Sequence, residues 1–405
     1  MNHYRYKGQE IDAIDLKMLI ASKGLRVDSR VYDEFKEVYS VSPNRDRYTA
    51  LVLSNGYVAP FRDMAPFLSQ MREKYRLSQG EYERFMVQLD TPFEIKVLGD
   101  KPALFADGEF LEYVAFPARH DFYDQVTPNG MPYLGNALLQ GNNEWLTFGC
   151  EWPCEFAVKG HPCQYCGAGN REMARARDGI AQRAVVSVED MCAVIKYAAE
   201  RKLFRFFQLT GGSTIDGLAE TRHFRRFLDG INEICGRDMI EEDIVFYLTP
   251  PKDFGQLDYY IANGVDKLGM SVEVWDEGLA KIVTPGKIKY TTRERYLKAL
   301  QYVVEKHGRG IAFCQFVAGC EPLETMFEGS VWLAERGITP VLSILSQSGL
   351  AINGKALPPD LDYYRRLKEF YLDLYARYDI IPAERVGENG CVEVEFYNEV
   401  HGVSR

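Results

Sequence analysis

From residue 144 onward, short apolar runs alternate with longer stretches in which apolar residues recur at every third or fourth position. Short, nearly continuous apolar runs are typical of buried parallel strands, and the longer periodic stretches are typical of amphipathic helices. The predicted strands are 145–148, 204–209, 244–248, 267–274, 311–317 and 340–344. This alternation predicts a parallel sheet wound with helices.

Several of the periodic stretches carry helix start signals. The Ser-Val-Glu-Asp sequence at 187–190 resembles a capping box ahead of a predicted helix. The pair Thr291 and Thr292 precedes a second predicted helix, which runs to Lys306. A third helix is predicted at 361–378, where aromatic and leucine residues repeat with helical spacing.

Six strand and helix pairs are fewer than the eight of a closed barrel. The sequence therefore predicts an α/β fold with a partial, open-sided (βα)6 TIM-like barrel. In sheets of this kind, ligands bind at the carboxyl ends of the strands. We expect the chemistry of this protein in the loops that follow the strands.

The pattern divides the chain into three predicted segments. Residues 136–380 are expected to form the barrel, residues 1–135 an N-terminal α+β accessory region that caps it, and residues 381–405 a C-terminal tail. The accessory region carries no metal or phosphate motif. The elements predicted outside the barrel are helices at 28–38 and 78–89 and strands at 47–53, 93–97 and 390–396.

Composition limits the class of protein. The chain has 405 residues, of which 46% are apolar, and a formal net charge of -10. The apolar fraction supports a sizeable core, and the negative charge gives no attraction to nucleic acid or anionic lipid. No apolar run has the length of a membrane span, and the opening residues lack signal-peptide features, which predicts a cytoplasmic protein. We expect a small-molecule substrate, with no nucleic-acid and no membrane partner.

Four of the nine cysteines lie in one loop after the first predicted barrel strand, with the spacing C-x3-C-x8-C-x2-C: Cys150, Cys154, Cys163 and Cys166. Because disulfide frameworks are rare in a reducing compartment, such a group predicts a metal site. The spacing is compatible with an iron–sulfur cluster and with a four-thiolate zinc staple in a hydrolase or binding protein. His161 could also join thiolates at a catalytic zinc, although the proline after it favours a turn. The position of the loop at a strand end favours the cluster.

The end of the loop, Cys163-Gln164-Tyr165-Cys166, resembles the signature of the radical S-adenosylmethionine (radical SAM) superfamily, C-x3-C-x2-C with an aromatic residue before the third cysteine. The first half differs, because eight residues separate Cys154 from Cys163 and twelve separate Cys150 from Cys163. The resemblance implies that Cys163, Cys166 and either Cys154 or Cys150 bind three irons of a 4Fe–4S cluster. It also implies that Tyr165 borders the cofactor.

Later motifs extend the resemblance to the biotin synthase-like branch of the family. Gly211, Gly212 and Ser213 are similar to the glycine-rich GGE element, whose backbone groups receive the methionine amine of SAM, with Ser213 in place of the usual Glu. Paired glycines allow close approach to the backbone. Glu273 in the fourth strand is implied to contact the ribose or amine of SAM. A carboxylate in an apolar strand needs a partner, unless Glu273 ends the strand in water.

Two further segments resemble parts of that branch. The stretch 290–297 is similar to its helix start, where an arginine grips the SAM carboxylate as a bidentate partner. Arg295 is the first candidate and Arg293 the second, with surface exposure as the alternative for both. The turn 316–325 resembles the turn that borders the adenine, although its acidic pair, at 321 and 324, could instead be favourable charge at a helix start.

The resemblance also implies the chemistry. The cluster would leave one iron open to SAM, and its electron would cleave SAM to methionine and a 5′-deoxyadenosyl radical, which takes a hydrogen atom from a small-molecule substrate. A one-electron donor of the flavodoxin or ferredoxin type is implied. Outside the loop, Cys314 lies on a predicted barrel strand, Cys192 and Cys235 are expected to pack in helices, and Cys391 is isolated. One cluster is therefore expected, in a lyase, isomerase or transferase, and no catalytic residue is assigned.

Overall fold

A curled sheet of parallel strands lies at the centre of the protein. The computed structural model describes residues 3–35, 48–62, 91–142, 144–149, 152–166, 185–345, 360–383 and 391–403, together with residues 169, 176 and 179. In these ranges the strands are β1 (His3–Tyr6), β2 (Gln9–Asp12), β3 (Arg26–Val27), β4 (Tyr48–Val52), β5 (Val58–Arg62), β6 (Phe93–Leu98), β7 (Lys101–Ala106), β8 (Glu109–Tyr113), β9 (Leu138–Gln140), β10 (Trp145–Phe148), β11 (Phe206–Thr210), β12 (Ile244–Tyr247), β13 (Lys267–Gly269), β14 (Ala312–Ala318) and β15 (Thr339–Ile344).

Helices follow most strands of the central sheet. In the same ranges the α-helices are α1 (Ala13–Lys23), α2 (Ser29–Glu34), α3 (Glu155–Val158), α4 (Val188–Glu200), α5 (Leu218–Gly230), α6 (Gly255–Ala262), α7 (Glu277–Val283), α8 (Arg293–His307), α9 (Leu323–Glu335), α10 (Leu361–Tyr378) and α11 (Glu393–His401). Two π-helical turns, Ile231–Cys235 and Lys287–Thr291, extend α5 and precede α8.

The central sheet has the strand order β15-β14-β13-β12-β11-β10-β9. In the described part of the chain, β10 to β15 pair in parallel, and β9 pairs antiparallel with β10 at one edge. Parallel neighbours require crossover connections, which the helices between them supply. The result is a curled half-barrel with β9 and β15 at its two edges. The predicted α/β architecture with a parallel sheet is confirmed at this level.

Most barrel strands begin and end within two residues of their predicted bounds, but the fourth is shorter than predicted. β13 covers only Lys267–Gly269, whereas the apolar pattern predicts a strand over 267–274. Glu273 has a φ of 69°, which a regular strand does not contain, so the chain leaves the ladder after β13. It regains one parallel bridge between Glu273 and Phe316. The residues after β13 are mostly buried although they lie outside the ladder, so they are apolar. Their hydrophobic pattern is therefore the same as that of a buried strand.

The two faces of the half-barrel carry different side chains, because successive strand residues point to opposite sides. The outer face contributes Leu146, Phe207 and Phe246 to the main core under the helices. The inner face carries a separate apolar layer: Trp145, Phe206, Val245, Phe313 and Val341. Two of its rings, Trp145 and Phe206, stack with centroids 4.7 Å apart.

Nearer to the carboxyl ends of the strands, the inner face becomes polar. The Thr147 hydroxyl lies 2.9 Å from Gln140 Oε1 and 3.3 Å from Gln208 Oε1. Across the half-barrel, the Gln315 side-chain amide donates to Ser343 Oγ. Each of the four residues at 147, 208, 315 and 343 lies two positions after a member of the apolar layer, and so on the same face. We call these four residues the polar row.

The N-terminal elements pack against the C-terminal helices. α1 is buried along nearly its whole length and contacts β5 and α10. Lys17 Nζ lies 2.7 Å from Glu395 Oε1, with both side chains almost fully buried. Lys368 Nζ lies 2.7 Å from a carboxylate oxygen of Asp12 and 2.7 Å from one of Asp15. These ion pairs join the first helix to the last two.

Predictions for the N-terminal region are confirmed in part. The strands predicted at 47–53 and 93–97 correspond to β4 and β6. The helix predicted at 28–38 is the shorter α2, and residues 36–38 lie outside the described residues. The helix predicted at 78–89 also lies outside them. The hairpin of β1 and β2 and the helix α1 were not predicted from the sequence pattern.

The strand predicted at 390–396 is wrong, because Glu393–His401 forms a helix. Cys391 makes one isolated antiparallel bridge, to Ser343. Alternating apolar and acidic residues imitate a strand period here, but the glutamates are buried too. Glu395 can be buried in a helix because its ion pair with α1 neutralises it.

The three predicted helix starts are confirmed. Ser187 Oγ accepts a hydrogen bond from the Asp190 N–H at 3.0 Å, Thr292 Oγ1 accepts one from the Arg295 N–H at 3.4 Å, and α10 spans Leu361–Tyr378. Such caps satisfy donors that a helix start leaves unpaired. Within the described ranges, none of the helices combines the length and the apolarity that crossing a membrane requires.

Candidate metal and cofactor site

The cysteine loop leaves the carboxyl end of β10 and turns into the short helix α3. Cys154 immediately precedes this helix as its N-cap residue, without a side-chain capping hydrogen bond. The Gly169 N–H points at Cys166 Sγ, with a nitrogen–sulfur distance of 3.2 Å. N–H donors aimed at sulfur favour the thiolate form, which is the form that binds metals.

Three thiols of the loop are close enough to perturb one another. Burial, with a smaller contribution from the neighbouring Cys166, raises the pKa of the Cys154 thiol to about 11. Burial also raises the pKa of Cys163 to about 12, with further contributions from Cys166 and Cys154 and an opposing one from the Lys287 ammonium. Thiols in this state need a metal to hold them as thiolates.

The donor chemistry of the loop fits an iron–sulfur cluster, which cysteine thiolates bind and which N–H groups directed at sulfur stabilise. Within the described ranges, no group of three or more His, Cys, Asp and Glu side chains is arranged to hold a metal ion. Cys150 lies outside the described residues, so the choice between Cys150 and Cys154 remains a prediction.

The glycine pair after β11 packs directly against the cysteine loop. A Cβ atom on Gly211 would lie 2.0 Å from the Trp152 ring, and one on Gly212 would lie 2.2 Å from the Cys154 nitrogen. The Gly212 N–H donates to the Trp152 carbonyl at 3.0 Å, and Trp152 Nε1 donates to the Gly212 carbonyl at 2.5 Å. The sequence predicts that another group approaches this glycine pair closely, and in the structure that group is the cysteine loop. Binding of the SAM amine at this pair remains a prediction.

Ser213 continues the contact between the two loops. Its carbonyl accepts a hydrogen bond from the Glu155 N–H at 2.9 Å, and its hydroxyl lies 2.8 Å from Thr249 Oγ1. The buried Glu220 carboxylate lies behind it and accepts from the N–H groups of Thr249 at 2.6 Å and Thr214 at 3.2 Å. Burial raises the pKa of Glu220 to about 7. One buried carboxylate therefore joins the loops after β11 and β12.

Glu273 finds its partner in Lys287. Lys287 Nζ lies 2.8 Å from Glu273 Oε1 and 2.6 Å from the Ser271 carbonyl oxygen. Burial lowers the pKa of Lys287, but the Glu273, Tyr296 and Cys163 groups raise it by more, so the amine stays charged. Glu273 therefore has the partner that the sequence predicts for a buried carboxylate, and it does not end the strand in water. A positive charge consequently lies beside the cysteine loop.

The two arginine candidates differ in their surroundings. Arg293 Nη1 lies 2.8 Å from Glu277 Oε1, and its guanidinium lies 4.0 Å from the centre of the Trp275 ring. Arg295 is half-buried in the first turn of α8, where its N–H bonds to the cap residue Thr292. Arg293 is therefore engaged with the protein, and the SAM-binding role of either arginine remains a prediction.

The acidic turn after β14 holds a neighbouring loop in place. Glu321 is buried and accepts from the N–H groups of Trp275 at 2.8 Å and Asp276 at 2.9 Å. The Glu321 carboxylate thus lies at the start of α7 and not at the start of α9, the helix that follows it in the chain. Glu324 forms a surface ion pair with Arg366 at 2.6 Å.

Tyr165 and His161 occupy different environments. Tyr165 packs beside Cys320, Val274 and Val317, and burial raises its pKa. His161 has Lys289 Nζ 3.0 Å from its Nε2 and the Tyr290 hydroxyl 3.3 Å from its Nδ1. Both ring nitrogens therefore face partners outside the thiol group, which argues against His161 as a zinc ligand.

Sequence reasoning missed Lys287, Glu220 and Cys320. Lys287 lies in a turn without a recognised motif, and Glu220 lies on α5 among polar residues that give no sign of its burial. Cys320 is buried in the turn after β14, and charge interactions link it with Cys163 and Glu273. A position after a barrel strand was the only signal for Cys320.

Comparisons with known proteins give distant likenesses, and no family model matches the chain. It is 21% identical over 301 residues to the bacteriochlorophyllide c C-7(1)-hydroxylase of Chlorobaculum limnaeum, covering 71% of this chain and 73% of that protein.

Among solved structures, SuiB of Streptococcus suis bound to S-adenosylmethionine is 15% identical with a TM-score of 0.42, covering 58% of this chain and 48% of that one, so that the match spans about half of SuiB. A radical SAM methyltransferase from Sphaerobacter thermophilus is 15% identical with a TM-score of 0.41, covering 76% and 81%. The chain is therefore similar to proteins of the radical SAM superfamily, whose cysteine signature its loop resembles.

Proposed function

We propose that this protein binds a 4Fe–4S cluster and S-adenosylmethionine at the carboxyl edge of its half-barrel and uses them to take a hydrogen atom from a small-molecule substrate. The observation that carries the proposal is the position of Cys154, Cys163 and Cys166 in one loop at the carboxyl end of β10, where Cys154 packs against the Gly211–Gly212 turn. When bound, the cluster supplies the electron that cleaves SAM to methionine and a 5′-deoxyadenosyl radical.

The residues of the loop would bind and tune the cluster. The Gly169 N–H directed at Cys166 would stabilise negative sulfur, and the buried Lys287 ammonium would offset the charge of the thiolates. Glu273 keeps Lys287 charged and oriented. Tyr165 packs against the apolar cluster that contains Val274 and Cys320, and would limit the access of water to that side of the loop.

SAM would bind between the loops that follow the strands. Arg295 is our first candidate for its carboxylate, because Arg293 is already paired with Glu277. Guanidinium provides two parallel donors to a carboxylate. Gly211, Gly212 and Ser213 border the position proposed for the amine, and Glu220 holds that border by joining two loops.

The polar row on the inner face would contact the substrate. Purely structural barrel interiors are filled with branched apolar residues, whereas Thr147, Gln208, Gln315 and Ser343 bring hydroxyl and amide groups to this face. Such groups orient a small molecule through hydrogen bonds. Likeness to a hydroxylase favours hydroxylation of a carbon centre over a lyase, isomerase or transferase reaction. The electron would come from a donor of the flavodoxin or ferredoxin type.

The test is reductive cleavage of SAM under anaerobic conditions. Reconstituted protein with dithionite and SAM should form 5′-deoxyadenosine and methionine, measured by liquid chromatography. Cys163→Ala should form neither product, while Cys192→Ala, which alters a buried thiol of α4, should retain the activity. If the wild-type protein releases no 5′-deoxyadenosine although it is folded, the proposal fails and a zinc-stapled hydrolase or binding protein becomes the better account.

A further inference from the structure

We propose that a basic surface beside the cysteine loop docks an acidic one-electron carrier protein. The surface consists of Lys159, His161, Lys281, Ile282 and Lys289, and we call it the basic loop face. This inference rests on the proposed function, because it assigns an entry point for the electron that the cluster needs.

Two segments that lie against each other form the basic loop face. The Gln164 N–H donates to the Val283 carbonyl at 2.8 Å, which ties the cysteine loop to the end of α7. A Cβ atom on Gly286 would lie 2.6 Å from the His161 carbonyl oxygen and 2.6 Å from Phe156 Cβ. Lys289 Nζ lies 3.0 Å from His161 Nε2 of the loop, and Lys281 and Ile282 directly precede the bonded Val283.

Positive charge on the face is available to a partner. Lys159, Lys281 and Lys289 are exposed, and Lys289 donates to His161 Nε2, which leaves that ring to donate to Tyr290. A lysine ammonium cannot accept a hydrogen bond, so Lys289 must be the donor to His161. This bond orients the imidazole and holds the Lys289 ammonium at the surface.

The carboxylates nearest in sequence are engaged elsewhere. Glu155 Oε2 accepts from the Ile215 N–H at 2.8 Å, and Glu277 pairs with Arg293 at 2.8 Å. The chain as a whole carries a net charge of -10 and repels an acidic protein over most of its surface. A local excess of lysine therefore directs such a partner to this face.

An apolar side chain stands among the lysines. Ile282 is 60% exposed, the largest fraction for any large apolar side chain in the described ranges. An exposed apolar centre with a charged rim is the usual composition of a small, transient interface, and redox partners use the smallest of these.

The position of this face next to the cysteine loop favours an electron carrier as the protein that binds it. Transfer of an electron falls steeply with the gap between donor and acceptor, and this face is formed by the same loop that carries Cys163 and Cys166. Carriers of the flavodoxin and ferredoxin type are acidic proteins. In the transfer, the reduced carrier loses one electron and the oxidised cluster gains it, with no bond made or broken.

The experiment compares two double variants of equal charge change. Lys159→Glu with Lys289→Glu alters the face, and Lys101→Glu with Lys202→Glu alters exposed lysines in β7 and after α4, which belong to neither segment of the basic loop face. Dithionite, a small reductant that needs no docking, should reduce the cluster equally in all proteins. The rate of reduction by photoreduced flavodoxin should fall roughly tenfold or more in the first variant, with loss of its salt dependence. Titration calorimetry at low salt should show the matching loss of flavodoxin binding.

Each outcome decides a separate point. Equal flavodoxin rates and equal binding in both double variants would overturn the docking face and leave the proposed function intact. A protein that holds no cluster reducible by dithionite would overturn the proposed function and this inference with it.

Discussion

Lys287 and Glu273 form an ion pair at the mouth of the half-barrel, with 2.8 Å between Nζ and Oε1 and side chains only 14% and 12% exposed. Glu273 reaches this position through a left-handed backbone conformation, at a φ of 69°. Both charges interact with Cys163, so an ion pair without net charge lies near the thiol that would bind the cluster. Disturbing either partner should affect both stability and the metal site.

Removing the lysine alone should destabilise the protein. Lys287→Met leaves the Glu273 carboxylate buried without its counter-ion, and breaking a buried pair on one side costs about 3–5 kcal/mol of unfolding free energy. Lys287→Met combined with Glu273→Gln removes both charges and should recover more than half of the loss. Urea denaturation of the reduced, metal-free protein measures this. A double variant no more stable than Lys287→Met would show that the pair is not coupled.

Adding one methyl group at Gly212 should displace the cysteine loop. Its Cβ would lie 2.2 Å from the Cys154 nitrogen, and backbone cannot move aside as a flexible side chain can. Gly212→Ala should therefore lose most of its iron after reconstitution. Overpacking of this kind costs about 1–3 kcal/mol, so the fold should survive, as far-ultraviolet circular dichroism can check.

A matched control exists at Gly255, at the start of α6. Its added Cβ would meet only the Asp253 carboxylate, at 3.1 Å. Gly255→Ala should bind iron like the wild type. Full iron content in Gly212→Ala would mean that the loop does not depend on this close approach.

Glu220 should make stability fall with rising pH. Burial raises its pKa from 4.5 to about 7 in the folded state, so between these values the folded chain holds a proton that the unfolded chain has released. Its contribution is complete below pH 4.5, declines as pH rises, and is lost above pH 7, a change on the order of 3 kcal/mol.

The measurement for Glu220 is the difference between wild type and Glu220→Gln. Unfolding free energies from urea titrations at pH 5 and pH 8 should differ less in the variant, because glutamine does not titrate. If the pH dependence of the variant equals that of the wild type, Glu220 is not protonated in the folded protein near neutral pH.

The third cysteine ligand can be assigned by substitution. Cys154 is nearer to Cys163 in the sequence than Cys150 is, which favours Cys154 as the third ligand. Cys154→Ala should lose the cluster and Cys150→Ala should keep it, as judged by the visible absorption of anaerobic protein. The opposite result would assign Cys150, and retention in both would exclude the loop assignment.

The sheet could be predicted because its signal is local. Buried parallel strands are apolar throughout, and each is followed by a helix whose cap lies within a few residues, as with Ser187 and α4. The errors arise where a distant partner changes the meaning of a pattern. Glu395 is buried in a helix only because Lys17, near the other end of the chain, neutralises it.

The site was predictable in its residue types but not in its contacts. Spacing indicated the thiols and the glycine pair, but nothing in the sequence indicated that Trp152 and Cys154 fill the space beside Gly211 and Gly212. Lys287 and Glu220 carry no motif, and their importance comes from burial next to groups on other loops. Only the folded arrangement reveals such residues.

The most direct test of the account is the metal content of protein purified without oxygen. A 4Fe–4S cluster on Cys163, Cys166 and a third thiol predicts a brown protein with about four iron and four sulfide per chain, whose visible absorption dithionite bleaches. A colourless protein that contains one tightly bound zinc and no iron would contradict it.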